Sequence, residues 1–133
     1  MTSMIRSLAI IFTIIPFAAW ATDIPGVAID DLEGRIAQDT KNEISRIAES
    51  KPDADYESLG LLTGLGGNQP LSAWAYMKSV QTGEDSPVAA QNLAVHLFDM
   101  GRREGNPVLE DAAIAILSEQ AADYPSDWAI YRN

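Results

Sequence analysis

Beyond residue 27, apolar side chains recur at intervals of three and four, the spacing that gathers them on one face of an α-helix. Over 88–101, Ala90, Leu93, Ala94, Leu97 and Gly101 share a face, and Gln91, Asn92, Asp99 and Arg102 lie opposite. Leu109, Ala112, Ala113, Ile116, Leu117 and Ala121 form the same stripe over 108–124, with Glu110 and Asp111 suited to the positive start of that helix. Ala73, Trp74, Met77 and Val80 supply the stripe over 70–82. An opening helix over 28–50 carries Ile29, Leu32, Ile36, Ile44 and Ile47 on one side, with an Asp31–Arg35 pair four residues apart to support it. No segment alternates apolar and polar residues between hairpin turns, so the expected fold is all-α.

Prolines punctuate this pattern. Pro52, Pro70, Pro87, Pro107 and Pro125 follow one another at intervals of 18, 17, 20 and 18 residues. Ser86-Pro87 and Asn106-Pro107 each pair a capping side chain with a proline at the first helical position, where its missing N–H costs nothing. Asn68-Gln69-Pro70 is a looser version of the same start, and Asp53 or Asp55 can cap the segment after Pro52. Glycines at 64, 66, 67, 83, 101 and 105 fall just before the next start, as helix stops should. Helices of this length joined by short turns pack as antiparallel neighbours. Two hairpins result, over 52–86 and 87–125, their first helices offset by 35 residues and their second by 37. Tyr56-Glu57-Ser58-Leu59-Gly60 is echoed by Ala90-Gln91-Asn92-Leu93-Ala94 at a spacing of 34. A period of this length is the mark of stacked helical hairpins.

Leu59-Gly60, the glycine turn, Ala73-x-x-Tyr76, Ala90-x-x-Leu93-Ala94, Gly101, Ala113-x-x-x-Leu117 and Pro125 together resemble the tetratricopeptide and Sel1-like repeats. The resemblance spans about 52–127, or two units, with the 28–50 helix as a preceding half-unit or cap. It implies a short solenoid of stacked antiparallel hairpins. The alternative is a small non-repeat helical bundle that shares only the hairpin length.

The first 21 residues read as a secretory signal peptide. Arg6 is the only charge, Leu8–Ile15 is continuously apolar, and Pro16 precedes Ala19-Trp20-Ala21, which presents small side chains for cleavage after Ala21. The apolar run is too short for a membrane span of roughly 20 residues. No cysteine follows it for lipid attachment, and no Arg-Arg pair precedes it. The mature chain, 22–133, is therefore expected in the periplasm or outside the cell as one domain, with 126–133 as a C-terminal cap and no further span.

All 19 acidic residues lie in that mature part, against eight Lys and Arg once Arg6 is set aside, a balance near −11. Such a surface repels nucleic acid and anionic lipid, whose binding depends on basic side chains displacing counterions. The absence of cysteine removes disulfides, thiol catalysis and cysteine-ligated metals.

Candidate chemistry is sparse. His96, the sole histidine, has Asp99 one helical turn away, which reads as a pair on the hydrophilic face of its helix. Asp53-Ala-Asp55-Tyr-Glu57 alternates acids as a calcium loop does but has Ser58 where the glycine belongs, so it reads as helix capping. Gly64-Leu65-Gly66-Gly67 lacks the Lys-Ser/Thr of a phosphate loop and reads as an interhelical turn. Trp74, Tyr76, Tyr124, Trp128 and Tyr131 read as core or cap residues. No catalytic, metal or cofactor site is expected.

The expected function is that of a non-catalytic protein- or peptide-binding module: an adaptor, an envelope-complex subunit or an immunity protein. The repeat resemblance implies a concave recognition surface on the first helix of each hairpin, which here falls on Glu57, Leu61, Gln91, Val95 and Asp99. Two alternatives stand beside it, a self-associating structural envelope protein and a small carboxylate-dependent enzyme.

Overall fold

The computed structural model describes residues 23–50, 55–83 and 87–123. They form six helices: α1 (Gly26–Arg35), α2 (Gln38–Ser50), α3 (Tyr56–Leu65), α4 (Gln69–Gln81), α5 (Pro87–Glu104) and α6 (Pro107–Asp123). Among the described residues there is no strand, and the fold is all-helical. The signal segment, Ser86 and the 126–133 cap lie outside them. No helix of the described residues is long and apolar enough to cross a membrane.

The helix starts use the expected caps. The Asp55 carboxylate accepts the Ser58 N–H at 2.8 Å, and that backbone bond holds its pKa below the usual value. Asn68 Oδ1 accepts from Leu71 N–H at 3.3 Å, and Asn106 Oδ1 from Val108 N–H at 3.1 Å. The two turns share one device. Gly67 and Gly105 take positive φ, and the following asparagine N–H donates five residues back, Asn68 to Thr63 and Asn106 to Gly101. This is the six-to-one closure that a left-handed glycine permits. Because α5 continues through Arg102 and Arg103 to Glu104, only Gly105 and Asn106 separate it from α6.

α4 is the centre of the molecule. It packs against both α3 and α5, and α5 in turn packs along α6. The stripe read for 70–82 is therefore incomplete. Every residue from Leu71 to Met77 is buried, and so is Ser79, because partners surround the helix. The core joins Trp74, Met77, Leu93, Leu97, Met100, Leu109 and Ile116 to Leu32 of α1 and Ile44 of α2.

The single opening helix over 28–50 is corrected to two. Ile36 is extended (φ −104°, ψ 128°) and breaks the run. The halves have different tasks: α1 lies across α4 and α6, whereas α2 packs on α3, and a straight rod cannot serve both. Lys41 stabilises the break by donating to the Glu33 carbonyl at 3.1 Å and to its carboxylate at 2.9 Å. Burial acts to raise the Glu33 pKa, but Lys41, the Trp74 indole and Lys78 outweigh it and lower the pKa overall. Trp74 Nε1 lies near that carboxylate without reaching hydrogen-bond geometry.

Arg35 makes the Asp31 pair at 2.6 Å and also forks onto Glu104 at 2.5 and 2.7 Å, tying α1 to the end of α5. Glu104 and Asp31 together hold the guanidinium pKa above its ordinary value.

Candidate functional site

Where α3, α4 and α5 meet, polar side chains at helical spacing face one another. α4 contributes Gln69, Ser72 and Tyr76, and α5 contributes Asn92, His96, Asp99 and Arg103. Small residues on α3 let them approach. A β-carbon at Gly60 would stand 2.9 Å from the Tyr76 ring, and one at Gly64 would stand 2.9 Å from Ser72 Oγ and 4.0 Å from His96 Nε2.

The bonding has one consistent solution. Fully buried Ser72 donates its only hydroxyl proton to the Gly60 carbonyl at 2.6 Å. His96 Nε2, 3.1 Å from Ser72 Oγ, must then be the donor of that pair. Nδ1 is left as an acceptor and takes a proton from Gln69 Nε2 at 3.1 Å. The second Gln69 N–H goes to Asp99 Oδ2 at 2.9 Å, and Gln69 Oε1 accepts from Arg103. Arg103 Nε returns to Asp99 Oδ2 at 3.2 Å and closes the circuit.

His96 is thus a neutral Nε2–H imidazole with both nitrogens engaged. Burial lowers its pKa below the ordinary 6.5, and the Asp99 charge only partly opposes this. Tyr76 stacks on the ring, 5.9 Å between centroids and 26° between planes. Burial raises the pKa of the Tyr76 hydroxyl, against a bond to Asn92 and with help from Glu57.

The expected His96–Asp99 pair on the hydrophilic face is corrected accordingly. The ring is half-buried, turned towards α4, and reaches Asp99 only through Gln69. Sequence reasoning missed Gln69, Ser72 and Arg103. Their signal was spacing: 69, 72 and 76 form one stripe, and 92, 96, 99 and 103 another. Polar stripes of this kind are ordinarily assigned to solvent, and only the neighbouring helix shows that these two face each other.

The geometry also defines what the cluster can do. Ser72 sends its proton to a carbonyl while His96 donates to Ser72, the reverse of the polarity that activates a serine nucleophile. Among the described residues no three His, Cys, Asp or Glu side chains group as metal ligands would.

The sequence-derived contact residues fall on two helices, α3 and α5. Glu57 and Leu61 are one turn apart on α3, and Gln91, Val95 and Asp99 follow one another at single turns on α5. Glu57 and Gln91 are half-exposed, and Asp99 is exposed but held by Gln69 and Arg103. Leu61 is 54% exposed and Val95 59%. Three neighbours were not anticipated: Leu62 at 61%, Leu65 at 77%, and Phe98 at 37%, the last beneath the Arg102 guanidinium at 5.8 Å. Leu61 and Leu65 directly follow the glycines that face Tyr76 and Ser72, and Val95 directly precedes His96. Leu61, Leu65 and Val95 therefore flank the circuit, whereas Leu62 and Phe98, two residues and about 200° of helix from the groups that face it, point away.

No protein-family model matches the chain, and neither does any curated protein or solved structure at the significance required.

Proposed function

We propose that the chain is an exported, non-catalytic module that binds a protein or peptide across the face made by α3 and α5. The observation that carries this reading is the exposed apolar side chains of Leu61, Leu65 and Val95, each one residue along its helix from a group that faces the hydrogen-bonded polar circuit. Grouped apolar side chains on a soluble surface mark interaction sites, whereas isolated ones need no explanation. The circuit presents neither an activated nucleophile nor a free base, which favours binding over catalysis.

Stacked hairpins of the tetratricopeptide or Sel1-like kind are the arrangement we favour. In support, the turns at Gly67-Asn68 and Gly105-Asn106 close with the same bonds, and a glycine admits the partner helix in each hairpin, Gly60 at Tyr76 and Gly101 at Glu110. The balance near −11 favours a protein partner over nucleic acid.

The test is affinity capture of tagged protein from the native host's envelope, repeated with the double variant Leu61→Asp/Val95→Asp. Both positions are exposed, so the variant should melt within about 0.5 kcal/mol of the parent while losing any partner held by this face. A partner retained by a folded variant refutes the assignment of the face. The same apolar side chains also suit a second reading, self-association. Sedimentation showing a monomer at all concentrations excludes it.

A further inference from the structure

We infer that His96 is a proton-operated latch: a proton taken up at Nδ1 turns the Gln69 amide over and detaches Arg103, unlocking α4 from α5 beside the exposed apolar side chains. The inference stands on the bonding circuit and holds whether or not those side chains bind a partner.

In the neutral circuit both ring nitrogens and the Gln69 amide meet complementary partners. Nε2–H is committed to Ser72 Oγ, whose own proton is committed to Gly60, so a proton arriving on the ring can only sit at Nδ1. There it points at Gln69 Nε2, itself a donor, 3.1 Å away. Two opposed N–H groups cannot share that gap. The Asp99 carboxylate reaches the ring only through Gln69, so the acceptor within reach is Gln69 Oε1, brought round by a half-turn of the amide. That turn breaks two further bonds. The amide N–H groups now oppose the Arg103 guanidinium, and the amide oxygen opposes Asp99 Oδ2. One proton thus severs two links between the first turn of α4 and the last turns of α5 and reverses the polarity of a third, His96–Gln69.

The charged and titratable groups on the elements around the ring set the pH at which this happens. Its own helix brings Asp99, which favours the charged ring, and Arg103, which does not. α4 brings the neutral Gln69, Ser72 and Tyr76. α3 brings the Gly60 carbonyl and Gly64, with Glu57 acting on Tyr76. α6 brings Glu110 against Gly101. Burial outweighs the Asp99 charge and lowers the ring's pKa below its ordinary value of 6.5.

The experiment is NMR of the isotopically labelled full-length chain. At about pH 7.5 the His96 ring should show the Nε2–H tautomer. Titrated to about pH 5, the ring, the Gln69 side-chain amide and the Arg103 Nη–H groups should move with one shared midpoint below 6.5, and Arg103 Nη–H exchange should quicken roughly tenfold. In His96→Asn the Gln69 and Arg103 signals should stay flat over that range. In Gln69→Glu, whose carboxylate accepts Nδ1–H without turning, the His96 midpoint should rise and Arg103 should cease to follow it. An Nδ1–H tautomer at neutral pH, separate midpoints, or unchanged movement in His96→Asn overturns the latch. Should His96→Asn fail to fold, an unchanged His96 midpoint in Gln69→Glu overturns it independently.

Discussion

Gly101→Ala isolates the closest approach between α5 and α6. At an ordinary helix-interior position this change adds about 0.8–1 kcal/mol of stability, because alanine is the better helix former. At Gly101 a β-carbon would stand 2.9 Å from the Asn106 carbonyl oxygen, from Glu110 Cγ and from Glu110 N. Glu110 Cγ can swing aside, but the other two atoms are backbone, and the turn that carries them is pinned by Asn106 N–H donating to the Gly101 carbonyl at 2.8 Å. Relief requires α6 to move off α5 by several tenths of an ångström along their shared core. Overpacking costs about 1–3 kcal/mol, and a backbone obstacle places this case at the upper end. After the propensity gain is subtracted, a loss of about 1–2 kcal/mol is expected. For a domain of roughly 100 residues that is a fall in Tm of about 4–16 °C. Gly34→Ala is the matched control: Gly34 lies in a helix with nothing within 4 Å of the added carbon, so it should gain about 0.5–1 kcal/mol. Calorimetry and urea unfolding with unchanged m-values would measure both. A Gly101→Ala protein as stable as the parent refutes the close α5–α6 approach.

Three further outcomes are expected. Asp55→Ala removes the side-chain cap of α3 and should cost about 1 kcal/mol by urea unfolding at neutral pH. Arg35→Gln should loosen α1 from α5, lowering stability by only about 0.5–1 kcal/mol because Glu104 is solvent-facing, and should raise the Glu104 pKa, which the Arg35 bond depresses, as read by NMR titration. The folded His96 ring takes a proton less readily than the unfolded one, so its stabilisation is complete above about pH 6.5 and is lost as pH falls through the lower folded midpoint. The parent should weaken in that window and His96→Gln should not, whereas Glu33 and Asp55, with pKa values lowered from the carboxylate range, weaken the fold only below about pH 4.5.

Much of the fold was legible because helices are local. The stripes at 90–101 and 109–117 need only the 3.6-residue period, and caps such as Asp55, Asn68 and Asn106 act within three residues of themselves. The opening helix was misread for the complementary reason. The break at Ile36 is set by which distant helices the two halves pack against, and neither half names its partner in the sequence. α4 was only half-read in the same way, since Ser72 and Ser79 look like a solvated face until α3 and α5 close around them.

The sequence by itself thus determined the helical class, the chain positions of the two well-marked turns and the acidic, cysteine-free character of the surface, all properties of neighbours along the chain. Leu61 and Val95, named through the repeat resemblance, stand exposed. Only the tertiary structure decided that Leu62, Leu65 and Phe98 stand exposed with them, and that His96 is a half-buried link in a circuit rather than a surface pair. The physical reason is hydrogen-bond satisfaction. Gln69, Ser72 and Arg103 are 24 to 34 residues from the groups they bond on the facing helix, and their donors and acceptors acquire their pairing only once α4 and α5 pack together.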